Sequence, residues 1–276
     1  MNELLLKDTL HSIETNNFEP LESPTPKELL PHFYKNLGST DPELRDDLIF
    51  SVMANWIYSG VFTHEEIFRI AETLAQDEYI LNGIGSENDD SVFTRSATAL
   101  QLWAIIVTHK EKNFLSFNFI GIIFEKTIKL LLEEVDYRAY VPAKGWANSI
   151  SHAANILTEL VQLPEIKKPW LLLVLNAIFD KILQPGFRFQ GDEVEHLAAP
   201  VAEILLREII LEEEILPSFQ KLKIQPHFHG QDPENFFRFI NVRNFLRAVY
   251  FYLLDVPDKR RQRDLILIAI QELKSQ

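Results

Sequence analysis

Asn148, His152, Asn155 and Glu159 recur at steps of four, three and four, the spacing that stacks side chains along one side of a helix. Two amides, an imidazole and a carboxylate in one row can donate and accept hydrogen bonds, which is the chemistry of orienting a polar ligand. Just upstream lie Asp136-Tyr-Arg138 and Lys144-Gly-Trp146. These add a carboxylate–guanidinium pair, able to meet charged groups, and a large aromatic ring with a polar edge. Ala147, Ile150, Ala154, Leu157 and Val161 fill a second side of the same stretch, with Ile156 and Leu160 widening the apolar arc. A helix apolar over most of its circumference is buried. Its polar row must therefore face a partner, a groove or trapped water.

Arginines near helix starts form the next candidates. Arg45 shares a row with Ile49, Val52 and Trp56, and Arg95 with Ala99, Leu102 and Ile106. Both sit on sides expected to be buried, with Asp46 and Asp136 available as partners. Structural ion pairs that fix the register of neighbouring helices account for Arg45. Arg95 and Arg138 also have the alternative of presenting a guanidinium to an anionic group in a groove. A structural role competes at the row itself: His152 and the two Asn residues could tie helix ends together.

Other constellations carry less. His227-Phe-His229-Gly230 offers two metal ligands but no neighbouring acidic cluster, so a loop reading prevails. Glu193, Glu195 and His196 open a helix, where acids are expected from the dipole alone. The stretch around Gly83, Gly85, Asn88, Asp89 and Asp90 lacks the ligand spacing of a calcium loop. No nucleophile elbow, phosphate loop, dinucleotide fingerprint or His-Glu-x-x-His occurs. No cofactor and no metal is assigned, and an enzyme is left unsupported by any catalytic motif.

The elements that must position these residues are helices. A first helix and a short second one occupy residues 1–40, separated by Ser23-Pro24-Thr25-Pro26. Asp41-Pro42-Glu43 then opens a helix to about Ser59-Gly60, and Thr63 with Glu66 has the pattern of a capping box. Asp90 is expected to cap a long helix to about His109, followed by one from roughly Asn118 to Glu134. The Gly145–Val161 helix pairs with Pro169–Leu183. Asp192 opens a helix to about Leu211, Asp232-Pro233-Glu234 opens another that ends before Pro257, and Asp258 caps the last, Lys259–Leu273. Longer helices thus start near 41, 90, 145, 192 and 232, a drifting period of roughly 40 to 54 residues that resembles HEAT or armadillo arrays. The expected fold is all-α: an irregular α-α superhelix of about five helix pairs over 41–276 with an N-terminal extension over 1–40. A globular bundle of two halves is the alternative.

Composition narrows the function classes. The chain of 276 residues has a formal charge of −13, which disfavours nucleic acid as a partner because phosphate binding needs concentrated Lys and Arg. The cluster Lys259-Arg260-Arg261 with Arg263 is read as a solvated face. With no cysteine, disulfides, thiol catalysis and cysteine-bound metals are excluded. The longest apolar run, Trp170 to Phe179 and broken only by Asn176, is about half of a bilayer span. The first residues lack a secretory pattern, and a cytoplasmic protein with no membrane partner is expected. Twenty Phe and four Trp are read as core, clusters such as Phe236-Phe237-Arg238-Phe239 included.

Several of these stretches resemble one bacterial family. Asp41-Pro-Glu-Leu-Arg-Asp46, Asp90-Ser-Val-Phe-Thr-Arg-Ser96, Asp136-Tyr-Arg138, Lys144-Gly-Trp146 and Ser151-His-Ala-Ala154 look like the domain of unknown function 2785. Gly191-Asp-Glu-Val-Glu-His-Leu-Ala198 fits less sharply, and the likeness spans roughly residues 40–255. It implies a helical-repeat protein without an assigned activity. The family pattern carries Gly after Asp-x-Arg, His two residues after the Trp, and Asp three after the second His. This chain has Ala139, Asn148 and Asn155 there. A His, His, Asp set would suit zinc, whereas two of the three positions here are amides, which are poor zinc ligands.

The resulting expectation is a helical protein that binds a peptide, protein or small ligand in a concave polar groove. The groove would be lined by Arg95, Asp136, Arg138, Trp146, Asn148, His152 and Asn155. A metal-assisted enzyme with degenerate ligands, or an architectural subunit, are the alternatives. Replacing His152 or Arg138 with Ala is expected to abolish binding and to shift thermal stability by no more than a few degrees.

Overall fold

A computed structural model describes residues 1–224, 233–254, 256 and 258–274. His227, His229, Gly230, Asp232 and Pro257, singled out in the sequence, lie outside the described residues. The described residues are all-α apart from one short hairpin, and the chain divides into two compact units, Met1–Ile156 and Leu157–Gln276.

The first unit begins with α1 (Glu3–Thr15), whose N-cap Asn2 accepts from the Leu5 amide at 2.9 Å. The breaker before α2 (Pro26–Asn36) works through Thr25 and Glu28, which form a reciprocal capping box with Pro26 at the first helical position. Asp41 then accepts from the amides of Glu43 and Leu44 at 3.1 and 3.3 Å. What it opens is a π-helical run, Glu43–Phe50, that continues into α3 (Ser51–Ser59). Gly60 ends α3 at φ +85°, where a residue without Cβ is needed. The Thr63–Glu66 capping box starts α4 (His64–Leu74) as the spacing predicts, and α5 (Asp77–Ile80) follows.

The long helix α6 (Ser91–Lys112) departs from expectation at its start. The Asp90 side chain makes no capping hydrogen bond, and Asp89 instead accepts from the Ser91 amide at 2.9 Å. Asp90 is engaged elsewhere, as described below. Next comes α7 (Phe117–Glu133), capped by Ser116. The core of this unit is built on Trp56, fully buried, whose indole N–H donates to the Phe18 carbonyl at 2.7 Å and whose ring meets Phe62 edge-on. α1, α2 and α3 all pack on the π-helical run or on one another, and α3, α4 and α5 pack on α6.

Residues 140–146, expected as a plain connector running into a helix at Gly145, form an antiparallel hairpin. Its strands are β1 (Tyr140–Val141) and β2 (Gly145–Trp146), paired Tyr140 to Trp146 and Val141 to Gly145. The following helix, α8 (Ser149–Gln162), therefore starts four residues later than the periodicity indicates. Gly145 sits at φ +82°, a conformation that closes a hairpin and cannot open a helix.

In the second unit α9 (Lys168–Ile182), α10 (Glu193–Leu206) and α11 (Glu212–Gln220) precede α12 (Pro233–Leu254) and α13 (Arg260–Lys274). α10 ends about five residues before the expected Leu211. Phe179 of α9 is the centre of this core, edge-on to Phe219 at 5.1 Å and to Phe245 at 5.8 Å. α12 packs against α9, α10 and α13.

Candidate functional site

The connector from Glu134 to Trp146 is clamped by two buried arginines, one at each end. At its start Arg95 of α6 is wholly buried and meets Glu134 through two parallel hydrogen bonds, Nε to Oε2 at 2.8 Å and Nη2 to Oε1 at 2.9 Å. Its Nη1 donates to the Asn82 carbonyl at 2.5 Å and to Ser91 Oγ at 2.9 Å. Glu134 Oε1 in turn accepts from the amides of Val135 and Asp136, both at 3.1 Å. A helix C-terminus is an unfavourable place for a carboxylate, so the arginine and the two amides are what hold this one there.

At the other end Arg45, also buried, donates Nη2 to the carbonyls of Lys144 (3.0 Å) and Trp146 (3.3 Å). It also meets both oxygens of Asp46, at 2.8 and 2.6 Å, and stands 4.4 Å over the Phe93 ring. Burial pushes the Asp46 carboxyl above the usual carboxylate range, and the Arg45 contact opposes that rise. Gly145 is pressed against Pro42: a Cβ there would stand 2.6 Å from the Pro42 Cβ. Between the clamps, Arg138 grips the buried Asp136 at 2.6–3.1 Å and reaches the Asp89 carbonyl at 2.9 Å. Lys144 pairs with Asp90 at 2.6 Å, which explains why Asp90 does not cap α6.

What the clamped hairpin displays is aromatic. Trp146 is 52% exposed and Tyr140 57%, their rings edge-to-face at 5.2 Å. The loop that anchors Arg138 and Lys144 carries exposed Glu87 and Asp89. Asp89 is held below the usual carboxylate range by its hydrogen bonds to Ser91.

The polar row of α8 occupies an intermediate position. Asn148, His152 and Asn155 are each half-buried, while Ser149 and Ser151 beside them are fully buried. His152 Nδ1 lies 3.0 Å from both Ser96 Oγ and the Ser96 carbonyl. An Nδ1–H donor to that carbonyl suits the second contact. Asn148 Oδ1, Ser149 Oγ and Ser151 Oγ are buried without a hydrogen-bond partner. Ala147 packs with Val92 and Phe93 under the hairpin.

The seven residues named from the sequence thus fall into two sets. Arg95 and Asp136 lie inside, as supports of the connector. Arg138, Trp146, Asn148, His152 and Asn155 retain exposure. Sequence reasoning missed Glu134 as the partner of Arg95, although an acid in the last turn of a helix is itself a sign of a paired cation. It also missed Tyr140 and the role of Arg45 in holding the Trp146 backbone. Among the described residues no three His, Asp or Glu side chains are gathered as a metal would require.

Fold and site together describe an all-helical protein with an aromatic hairpin set into its first unit. Residues 80–251, more than half of the chain, match the family described as a protein of unknown function, DUF2785, and the chain belongs to that family. No curated protein and no solved structure matches it. None of the helices searched among the described residues is long and apolar enough to cross a membrane.

Proposed function

We propose that this chain is a binding protein whose helices, stacked as an irregular HEAT- or armadillo-like array, present the Tyr140–Trp146 hairpin and the start of α8 to a polypeptide segment. The occupant is a stretch of chain with apolar and basic side chains. One observation carries the reading: an exposed Trp–Tyr pair stands on a hairpin whose backbone is bonded by a buried arginine. Exposed Trp and Tyr on a fixed backbone lose little conformational freedom on binding, and such residues dominate binding energy at interfaces. The exposed acids Glu87 and Asp89 beside the hairpin, and the formal charge of −13, favour a basic partner.

Selection of a random displayed peptide library on the purified chain tests this. Enrichment of Lys- or Arg-containing sequences with an apolar residue, lost in Trp146→Ala at unchanged melting temperature, is the expected result. No enrichment, or enrichment that survives Trp146→Ala, overturns it.

A further inference from the structure

One helix of the second unit is basic in a chain that is acidic as a whole. α12 carries Arg238, Arg243 and Arg247 and a single acid, Glu234, in its first turn. Arg243 and Arg247 are four apart and share a side of the helix. The chain then supplies a third guanidinium from a distant segment. Asn241, fully buried on α12, accepts from the Phe189 amide at 3.3 Å and donates to the Phe187 carbonyl at 3.2 Å. That one amide straps residues 187–189 to α12, and Arg188 lies between the two strapped positions.

The three arginines are neighbours in space. Desolvation, then the charge of Arg247, then that of Arg188 all lower the proton affinity of Arg243. Arg243 is half-buried, stands 5.9 Å over the Phe239 ring, and makes 3.4 Å contacts to Asn244 Oδ1. Arg188 and Arg247 are exposed. Among the described residues no carboxylate bonds any of the three. This contrasts with Arg45, Arg95 and Arg138, each of which holds a carboxylate. A half-buried charge facing two like charges without a counterion is costly, and an oxyanion would relieve both the repulsion and the unfilled donors. Guanidinium groups fork onto carboxylate or phosphate oxygens in pairs. Three of them within electrostatic reach of one another match a group with more than one negative charge, which favours phosphate over carboxylate.

We propose that Arg188, Arg243 and Arg247 form an anion site that takes the phosphate group of a small phosphomonoester. Three arginines are too few for a nucleic acid surface in a chain this acidic. The site lies within the second unit and is independent of the hairpin reading.

The test uses the full chain, with inorganic phosphate, phenyl phosphate and vesicles containing phosphatidic acid as probes. Expected is a saturable rise in melting temperature with phosphate and with phenyl phosphate, absent with sodium chloride at equal ionic strength. Calorimetric affinity for phenyl phosphate should fall about tenfold in Arg188→Ala, as for loss of one charge-assisted contact. It should fall further in Arg243→Lys, which keeps the charge but loses the fork. Arg188 is exposed, so its variant keeps the fold even if changes at Arg243 do not. Equal rises in phosphate and chloride, an unchanged affinity in Arg188→Ala, or binding to phosphatidic acid vesicles without binding to phenyl phosphate each overturn the proposal.

Discussion

Arg95 and Glu134 face each other in a bidentate pair, 2.8 and 2.9 Å, with neither side chain accessible to solvent. The pair ties the second turn of α6 to the end of α7. Through the amides of Val135 and Asp136 it also sets the direction in which the chain leaves α7.

Breaking it from one side leaves a charge buried with no partner. Arg95→Ala or Glu134→Ala should therefore cost about 3–5 kcal/mol. Replacing both by apolar residues of similar volume, Arg95→Met with Glu134→Leu, should recover much of that loss. Urea unfolding of the three variants measures it; a single variant within about 1 kcal/mol of wild type would contradict the picture.

Gly145→Ala should dislodge the hairpin. The residue is at φ +82° and its new Cβ would meet Pro42 at 2.6 Å, so strain of about 1–3 kcal/mol is expected. The exposed Trp146 makes the effect visible as a change in indole fluorescence anisotropy. Unaltered anisotropy and stability would show that the contact yields freely.

His152→Ala and Arg138→Ala, expected from sequence to behave alike, separate once their partners are known. His152 gives up its contacts to Ser96 and should cost about 1 kcal/mol. Arg138→Ala strips the counterion from buried Asp136 and should cost more, with Asp136→Ala in the same chain restoring part of it. Thermal melts of the single and double variants decide; equal losses in the two single variants would count against the clamp.

α1 should loosen in acid. Lys7 bonds Asp41 at 2.7 Å and also pairs with Glu43, and these contacts lower both carboxyl pKa values. A lowered folded pKa means the unfolded state binds protons more tightly. The stabilisation is therefore complete above the ordinary values of 3.8 and 4.5, and it is lost as pH falls through the depressed ones. Amide exchange protection of α1, corrected for intrinsic rates, should drop between pH 7 and pH 3 more than that of α3. Lys7→Met should abolish the difference.

Local rules carried the sequence reading wherever the controlling contact is a few residues away. Thr63 with Glu66 and Gly60 set helix ends through neighbours in the chain, and those ends fall where their patterns indicate. The all-α class follows because apolar periodicity is repeated along the whole length. The row at Asn148, His152 and Asn155 was legible for the same reason.

The hairpin and its supports depend on contacts that no local pattern encodes. Arg45 reaches Lys144 and Trp146 across about a hundred residues, and Lys144 withdraws Asp90 from the cap it would otherwise make. The helical periodicity that begins at Gly145 in the sequence yields to a glycine geometry and a proline contact fixed by packing. Whether an arginine is a support or a binding group turned on the same thing. Arg45 and Arg95 met a carboxylate inside the first unit, while Arg243 did so with none among the described residues, and only the folded chain brings such partners within reach.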